Sequence, residues 1–246
     1  MITATILTKN NEKTLKQTLD SLKSFPEVLI LDSGSTDKTL EIAKQYSNVV
    51  IHKDEFIGFG PMHNLASSLA QNNWIFSIDS DEVFSEELGE EILTLKLDSK
   101  VIYSVQRLNY FNGRQIKWCG GWHPDIVLRL YDRTATRFSN DLVHEKVEKN
   151  GLTIVPLQKT IAHTPYREIA DFLGKMQYYS TLFAEQNPGK KSSVGKALLH
   201  SWSAFIKSYF FKRGFLGGRE GFIISIYNGH TAFYKYLKLA EKTEIN

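Results

Sequence analysis

An α/β fold is predicted for this chain: a mostly parallel, Rossmann-like sheet flanked by helices, with a helical extension at the C-terminus. Three observations predict it. Short continuous apolar runs alternate three times with stretches of helical spacing before residue 74. The run from Trp74 has the length and the aromatic and β-branched content of a buried strand. Three of the four runs end in polar or acidic loops, and in a parallel sheet with right-handed crossovers those loops share one edge.

In order, Ile2–Leu7 reads as a buried strand, followed by the polar turn Thr8-Lys9-Asn10-Asn11-Glu12. Leu15, Leu19 and Leu22 have helical spacing, which predicts a helix over about 12–23. Glu27–Leu31 is the second strand, ending in Asp32-Ser33-Gly34-Ser35-Thr36-Asp37. Thr36 or Asp37 can cap the next helix, through Leu40 and Ala43. Val49–Ile51 is the third strand, and Gly58-Phe59-Gly60-Pro61 breaks the chain before the helical face Met62, Leu65, Ala66 and Leu69. The fourth strand, from Trp74, runs into Asp79-Ser80-Asp81-Glu82. Ser85 then reads as an N-cap, with Glu86 and Glu87 favoured at the positive end of a helix. That helix extends to about Lys96, and Val101–Arg107 alternates like a strand.

The 246 residues suffice for one large domain or one domain with an appendage. The single cysteine, Cys119, excludes an internal disulfide framework and a zinc cluster. Met1–Leu7 is too short for a signal peptide, and no apolar run approaches the roughly 18–20 residues that span a bilayer. Net charge is only +3, yet from Lys196 onward eight Lys/Arg face three Glu. This asymmetry points to an anionic partner for the tail.

Asp79 and Asp81 end a buried strand at the edge where open α/β sheets bind ligands. Hard carboxylate oxygens suit Mg²⁺ or Mn²⁺, ions that share their shell with substrate phosphates. A solvated acidic turn before a helix is the competing reading. Thr8, Asn10 and Glu12 lie on the same expected edge, as do Asp32 and Ser33. Hydroxyls, amides and a carboxylate can read a base and ribose. There is no P-loop, and no Gly-x-Gly-x-x-Gly follows the first strand, which argues against P-loop nucleotide hydrolysis and dinucleotide dehydrogenation.

Leu7-Thr8-Lys9-Asn10-Asn11-Glu12, the segment Leu31 to Thr39, and Ile78-Asp79-Ser80-Asp81-Glu82 together resemble the three signatures of the family-2 glycosyltransferases. Within that family the likeness is closest to lipopolysaccharide-core β-glycosyltransferases, many of them glucosyltransferases. The resemblance implies a GT-A fold, inverting transfer from a nucleotide-diphosphate sugar (UDP-glucose above others), and a divalent metal on Asp79 and Asp81. It places donor contacts on Thr8, Asn10, Glu12, Asp32, Ser33, Asp79, Arg129 and His144, with orientation of Glu145 as the other reading of His144. The Val143-His144-Glu145 segment stands where the family carries its catalytic base, so Glu145 is the expected base and Asp125 the second candidate. Pairing of Glu145 with Arg129 or Arg133 is the structural alternative. His163 matches a late histidine that adds a metal or diphosphate ligand. Asn10 stands where many members carry an aromatic, and Ser33 where many carry a second Asp.

Asn109–Trp122 is rich in aromatics and glycines, either a sugar-binding loop or a hairpin. From Glu168 the chain reads helical, with Ile169, Phe172, Leu173, Met176, Tyr179 and Phe183 as an apolar face and glycines 214, 217, 218 and 221 as a hinge. The expected division is a catalytic domain over 1–166, with a donor half to 107 and an acceptor half from 108, then an extension over 167–246. Aromatics interleaved with Lys/Arg fit an anionic bilayer surface, and a helical subdomain is the alternative. The expected location is cytoplasmic, peripheral on the inner membrane, with a lipid-linked or oligosaccharide acceptor and no nucleic-acid partner. A sugar-nucleotide nucleotidyltransferase and a non-catalytic nucleotide-sugar-binding protein remain the rival functions.

Overall fold

The computed structural model describes residues 1–143 and 145–244. Strands and helices alternate as β1 (Ile2–Thr8), α1 (Leu15–Ser21), β2 (Glu27–Asp32), α2 (Thr39–Ala43), β3 (Val49–Lys53), α3 (Phe59–Leu69) and β4 (Trp74–Asp79). Then follow β5 (Glu82–Phe84), α4 (Glu86–Thr94), β6 (Val101–Phe111), β7 (Arg114–Gln115), β8 (Asp125–Asp132) and β9 (Thr153–His163). The sheet order is β3-β2-β1-β4-β8-β6-β9-β5, with β7 on β6. The pairs β1–β2, β1–β4 and β2–β3 are parallel; β8 joins β4 antiparallel, with Phe76 opposite Leu130.

The continuous apolar runs exist because both sheet faces are covered. Val28 and Ile30 of β2 enter one core cluster with Leu15 and Leu19 of α1. Leu29 and Leu31 enter another, with Met62 and Ala66 of α3. The period-two geometry of a strand sends neighbours to opposite faces. α1 begins at Leu15 rather than near Glu12 because residues 11–14 form a turn, closed by Thr14 and Leu15 N–H groups donating to the Asn11 carbonyl. The Ser85 hydroxyl caps α4 by accepting from the Leu88 N–H, with Glu86 and Glu87 in the first turn.

The chain divides into two compact units: Met1–Arg107 with Ile126–His163, and Leu108–Asp125 with Thr164–Asn246. The second unit thus takes up Leu108–Asp125 as well as the tail. Its hairpin turns at Asn112 and Gly113, both at positive φ (51° and 73°), and pairs Tyr110 with Gln115 and Phe111 with Arg114. An Asn-Gly pair between strands fits this two-residue turn because both positions need φ above zero. The aromatic segment is therefore a hairpin, and its side chains pack inward. Phe111 meets Phe172 at 4.9 Å and Trp122 stacks on Tyr166 at 5.5 Å, in a cluster that includes Ile116 and Ile224.

The remaining elements are α5 (Ile169–Gln186), α6 (Val194–Ile206), a π-helical turn over Lys207–Phe211, a 3₁₀ turn over Gly214–Gly217 and α7 (Gly218–Glu244). α5 buries Phe172, Ser180 and Ala184, whereas Ile169 and Leu173 stay about half exposed. The buried stripe of α5 is thus narrower than its apolar pattern. Of the four glycines read as a hinge, Gly214 and Gly221 are points of close backbone packing. A Cβ on Gly221 would lie 2.0 Å from the Gly214 carbonyl oxygen, so they let two backbone segments touch. Among the described residues no helix is long and apolar enough to cross a membrane.

Candidate active site

The site is built on the C-terminal edge of β1, β2 and β4. Register places Thr8 beside Asp32, and Leu7 beside Asp79. Asp32 is buried, and its carboxylate accepts the N–H groups of Gly34 and Ser35 at 3.0 Å and the Ser35 hydroxyl. The Ser33 N–H donates to the Thr8 carbonyl.

Two loops are knitted there by reciprocal bonds. The Asn10 N–H donates to the Ser35 hydroxyl at 2.9 Å, and the Asn10 side-chain oxygen accepts from the Thr36 N–H at 2.8 Å. The Glu12 N–H donates to Asp37, and Glu12 accepts from the Lys38 N–H. Asn11 donates its N–H to Thr39 and its side-chain amide to Thr8. Burial pushes the Asp37 carboxyl up, but bonds from Thr39 and the Glu12 N–H outweigh it and leave it low. Thr8, Asn10, Glu12, Asp32 and Ser33 are thus brought together. Asn11, Asp37 and Thr39 hold them. The sequence offered Asp37 only as a helix cap, and Asn11 and Thr39 only as members of the resembling segments.

The acidic stretch divides into two roles. Glu82 is completely buried and accepts the Asp79 N–H at 2.9 Å. Arg129, itself buried, reaches Asp79 Oδ2 and Glu82 Oε1 at 2.7 Å each. Arg107 lies 3.0 Å from Glu82 and 3.4 Å from Asp79. Burial acts against the Asp79 charge, yet Arg129 and then Arg107 outweigh it and hold that carboxyl well below the carboxylate range. Glu82 is pushed up by burial, against the pull of Arg129 and with added repulsion from Asp79. Arg129 rises above its ordinary value because Asp79 and Glu82 outweigh its burial. Its Nε is buried with no hydrogen-bond partner among the described residues. The solvated-turn reading therefore fails at Glu82, although the Ser85 cap that went with it is present.

Asp81 points elsewhere. Its Oδ1 lies 3.6 Å from His163 Nε2, with the His163 residue opposite Glu82 in the β5–β9 pair. One carboxylate and one imidazole at this separation can converge on a single ion, and the mixed oxygen–nitrogen donor set fits Mn²⁺ better than Mg²⁺. Asp79 is committed to the arginines instead. Among the described residues no group of three or more His, Cys, Asp or Glu gathers to hold a metal. The remaining ligands of such an ion have to come from substrate phosphate and water.

Glu145 lies on a loop seated on α3. Asn64 donates to the Phe138 carbonyl and accepts the Phe138 N–H, both at 2.9 Å. The Phe59 and Gly60 N–H groups donate to the Leu142 and Asp141 carbonyls. A Cβ on Gly60 would fall 2.0 Å from the Ser139 carbonyl oxygen, so only glycine admits this approach. The two arginines offered as partners for Glu145 are used elsewhere. Arg129 holds Asp79 and Glu82, and Arg133 caps the end of α3 through the carbonyls of Ser67, Ser68 and Ala70.

Glu145 Oε1 instead lies 3.7 Å from Nε2 of His63, a buried residue of α3. The other ring nitrogen of His63 is 3.2 Å from the Ser77 hydroxyl, and the ring stacks on Phe138. Burial, aided by Arg129 and opposed by Asp79, lowers His63 to about 4, so it is neutral at neutral pH. Sequence reasoning missed His63 because it follows Met62 on a helix face that reads as core. Asp125 belongs to the second unit, where its carboxylate accepts from the Asn109 amide at 3.0 Å. His144 lies outside the described residues.

Comparison with known proteins agrees with this geometry. The model of the family described as glycosyl transferase family 2 matches residues 3–156. An uncharacterized glycosyltransferase of Rickettsia typhi is 30% identical over 100% of this chain and 87% of its own length. The lipopolysaccharide core biosynthesis glycosyltransferase LpsC of Rhizobium meliloti is 26% identical, covering 98% of this chain and 92% of its own. A mannosyltransferase of Pyrobaculum calidifontis, solved in complex with GDP-Man and Mn²⁺, superposes with a TM-score of 0.55 at 14% identity over 95% of this chain and 86% of its own. That likeness shows a shared GT-A fold. With the family match spanning more than half of its length, the chain belongs to glycosyl transferase family 2 and is a nucleotide-sugar-dependent, inverting glycosyltransferase.

Proposed function

We propose that this enzyme moves glucose from UDP-glucose to a lipopolysaccharide or lipooligosaccharide core, or to another cell-surface glycan. It works at the cytoplasmic face of the inner membrane, with its C-terminal region toward an anionic bilayer. The observation that carries the transfer reading is the edge on which Thr8, Asp32 and the Asp79–Asp81 stretch end neighbouring parallel strands. The likeness to a lipopolysaccharide core glycosyltransferase supports the acceptor class.

In this reading Thr8, Asn10, Asp32 and Ser33 hold base and ribose, with Glu12 bracing the loops. Asp81 and His163 hold the divalent cation, which supplies Lewis-acid neutralisation of the leaving diphosphate when bound. Arg129 and Arg107 fix Asp79 and Glu82, and so fix the turn that aims Asp81. Glu145 takes the proton of the acceptor hydroxyl as that oxygen bonds to the anomeric carbon. The bond from that carbon to the diphosphate oxygen breaks on the opposite face. Neutral His63 positions the Glu145 carboxylate without cancelling its charge.

The test is turnover of a panel of nucleotide sugars with a core-oligosaccharide acceptor, with the product anomer read by NMR. The expected result is one nucleoside diphosphate released per sugar transferred, with inverted configuration and the highest rate for UDP-glucose. Pyrophosphate release from NTP and sugar phosphate would favour a nucleotidyltransferase. Nucleotide-sugar binding without turnover would favour a binding protein.

A further inference from the structure

The turn between α6 and α7 exposes more apolar surface than a solvated connection needs. Phe211 is 79% exposed, Phe210 53% and Leu216 51%, with Phe215 and Phe222 close behind. These are not scattered singly. The Tyr209 ring lies 5.1 Å from Phe210, 5.4 Å from Phe205, 5.8 Å from Phe222 and 6.3 Å from Phe215, so these four rings are connected through Tyr209, and Phe211 and Leu216 follow Phe210 and Phe215 directly in the chain. A cavity of about 300 Å³ lined by Trp202, Phe205, Phe222 and Ile226 continues it. Contiguous apolar surface of this kind marks an interaction site.

Its charge says what partner it fits. Lys207, Lys212, Arg213 and Arg219 are all exposed, and no carboxylate occurs between residues 207 and 219. The next acid, Glu220, is buried and paired with Arg114 at 2.8 Å. The surface is also stiff. The Cys119 N–H donates to the Lys212 carbonyl, and the Ser208 hydroxyl reaches the Cys119 carbonyl and the Ser225 hydroxyl. Gly214 and Gly221 are in backbone contact, which packs the turn against the start of α7. Its ordering cost has been met in folding.

We infer that this turn is a bilayer-inserting tip: Phe210, Phe211, Phe215 and Leu216 enter the headgroup boundary of an anionic membrane while the flanking lysines and arginines hold lipid phosphates. Apolar insertion beside a basic ring is how interfacial elements bind anionic bilayers. The inference gives the membrane side of the proposed function a defined element, and it stands independently of the donor and acceptor assignments.

The test is flotation of the full chain with vesicles of phosphatidylcholine, with and without phosphatidylglycerol. Wild type should bind vesicles containing the anionic lipid, less so as salt rises. Phe211→Ser with Phe215→Ser should lower partitioning on the order of tenfold per ring. Lys212→Glu with Arg213→Glu should lower it at least about fivefold per residue, and only on anionic vesicles. Leu93→Ser, an exposed apolar change on α4, should change nothing. Equal binding by wild type and the tip variants would overturn the inference. So would light scattering showing a dimer that Phe211→Ser dissociates while wild type ignores vesicles, since the face would then belong to a second copy. Melting and nucleotide-sugar response of each variant separate the two proposals. A chain that binds vesicles but no nucleotide sugar keeps the tip and loses the donor site.

Discussion

Glu145→Gln is expected to lower kcat by roughly 10²–10⁴-fold while leaving the melting temperature close to wild type. The substitution keeps side-chain volume and hydrogen-bonding capacity but removes the group that accepts the acceptor proton. The loop keeps its seat on α3 through Asn64 and the Phe59 and Gly60 N–H groups when the Glu145 charge is removed. Initial-rate kinetics with donor and acceptor varied separately provide the check. A loss in kcat with donor KM within a few-fold identifies a group acting in the transition state. Unchanged kcat would move the base elsewhere, and Asp125→Asn is then the variant to compare. A large fall in melting temperature would instead make Glu145 a structural partner of His63.

Arg129→Met is expected to cost about 3–5 kcal/mol of folding stability, the range for breaking a buried ion pair from one side. It strips Glu82, which is completely enclosed, of its 2.7 Å partner and leaves Arg107 to serve two carboxylates. Glu82→Gln in the same chain should recover part of the loss, because the uncompensated charge goes with it. The interaction energy from the double-mutant cycle measures the coupling. Asp79→Asn should cost less, since 39% of the Asp79 side chain is exposed and water can replace some of what Arg129 supplies. Chemical denaturation of the four chains of the cycle and of Asp79→Asn gives the comparison. Additive losses from Arg129→Met and Glu82→Gln would contradict the paired arrangement.

Much of the first unit was legible in the sequence, because its signals are local. Continuous apolar runs marked β1, β2 and β4, helical spacing marked α1 and α3, and polar loops marked the sheet edge. What escaped depends on contacts between distant residues. Arg107 on β6 and Arg129 on β8 reach Asp79 and Glu82 only because β8 inserts antiparallel beside β4 and β6 lies beyond it. No spacing rule within residues 74–82 announces that two of its carboxylates will be neutralised from there. His63 was hidden for the same reason: its neighbours on the helix are core residues, and its partners Ser77 and Glu145 are distant in sequence. In the second unit composition misled. The glycines of the α6–α7 turn read as flexibility, whereas the Gly214–Gly221 contact makes them points of close packing. The apolar face of α5 carried no sign of which of its residues pack, and Ile169 and Leu173 remain at the surface while Phe172 is buried. The Trp122 segment offered both of its readings equally. The Asn112–Gly113 turn, visible in the sequence, was the feature that could have decided it.

The most direct test of the central claim, a nucleotide-sugar site at the edge of β1, β2 and β4, is a thermal-shift titration. UDP-, GDP- and other nucleotide sugars would be compared with Mn²⁺, Mg²⁺ or EDTA, in wild type and Asp81→Ala. A ligand at a hundredfold excess over its Kd adds about 2.7 kcal/mol to the native state. The account predicts a rise in Tm with one nucleotide sugar that requires the metal and disappears in Asp81→Ala, a variant that itself melts near wild type. No response to any nucleotide sugar, or an equal response in Asp81→Ala, would contradict it.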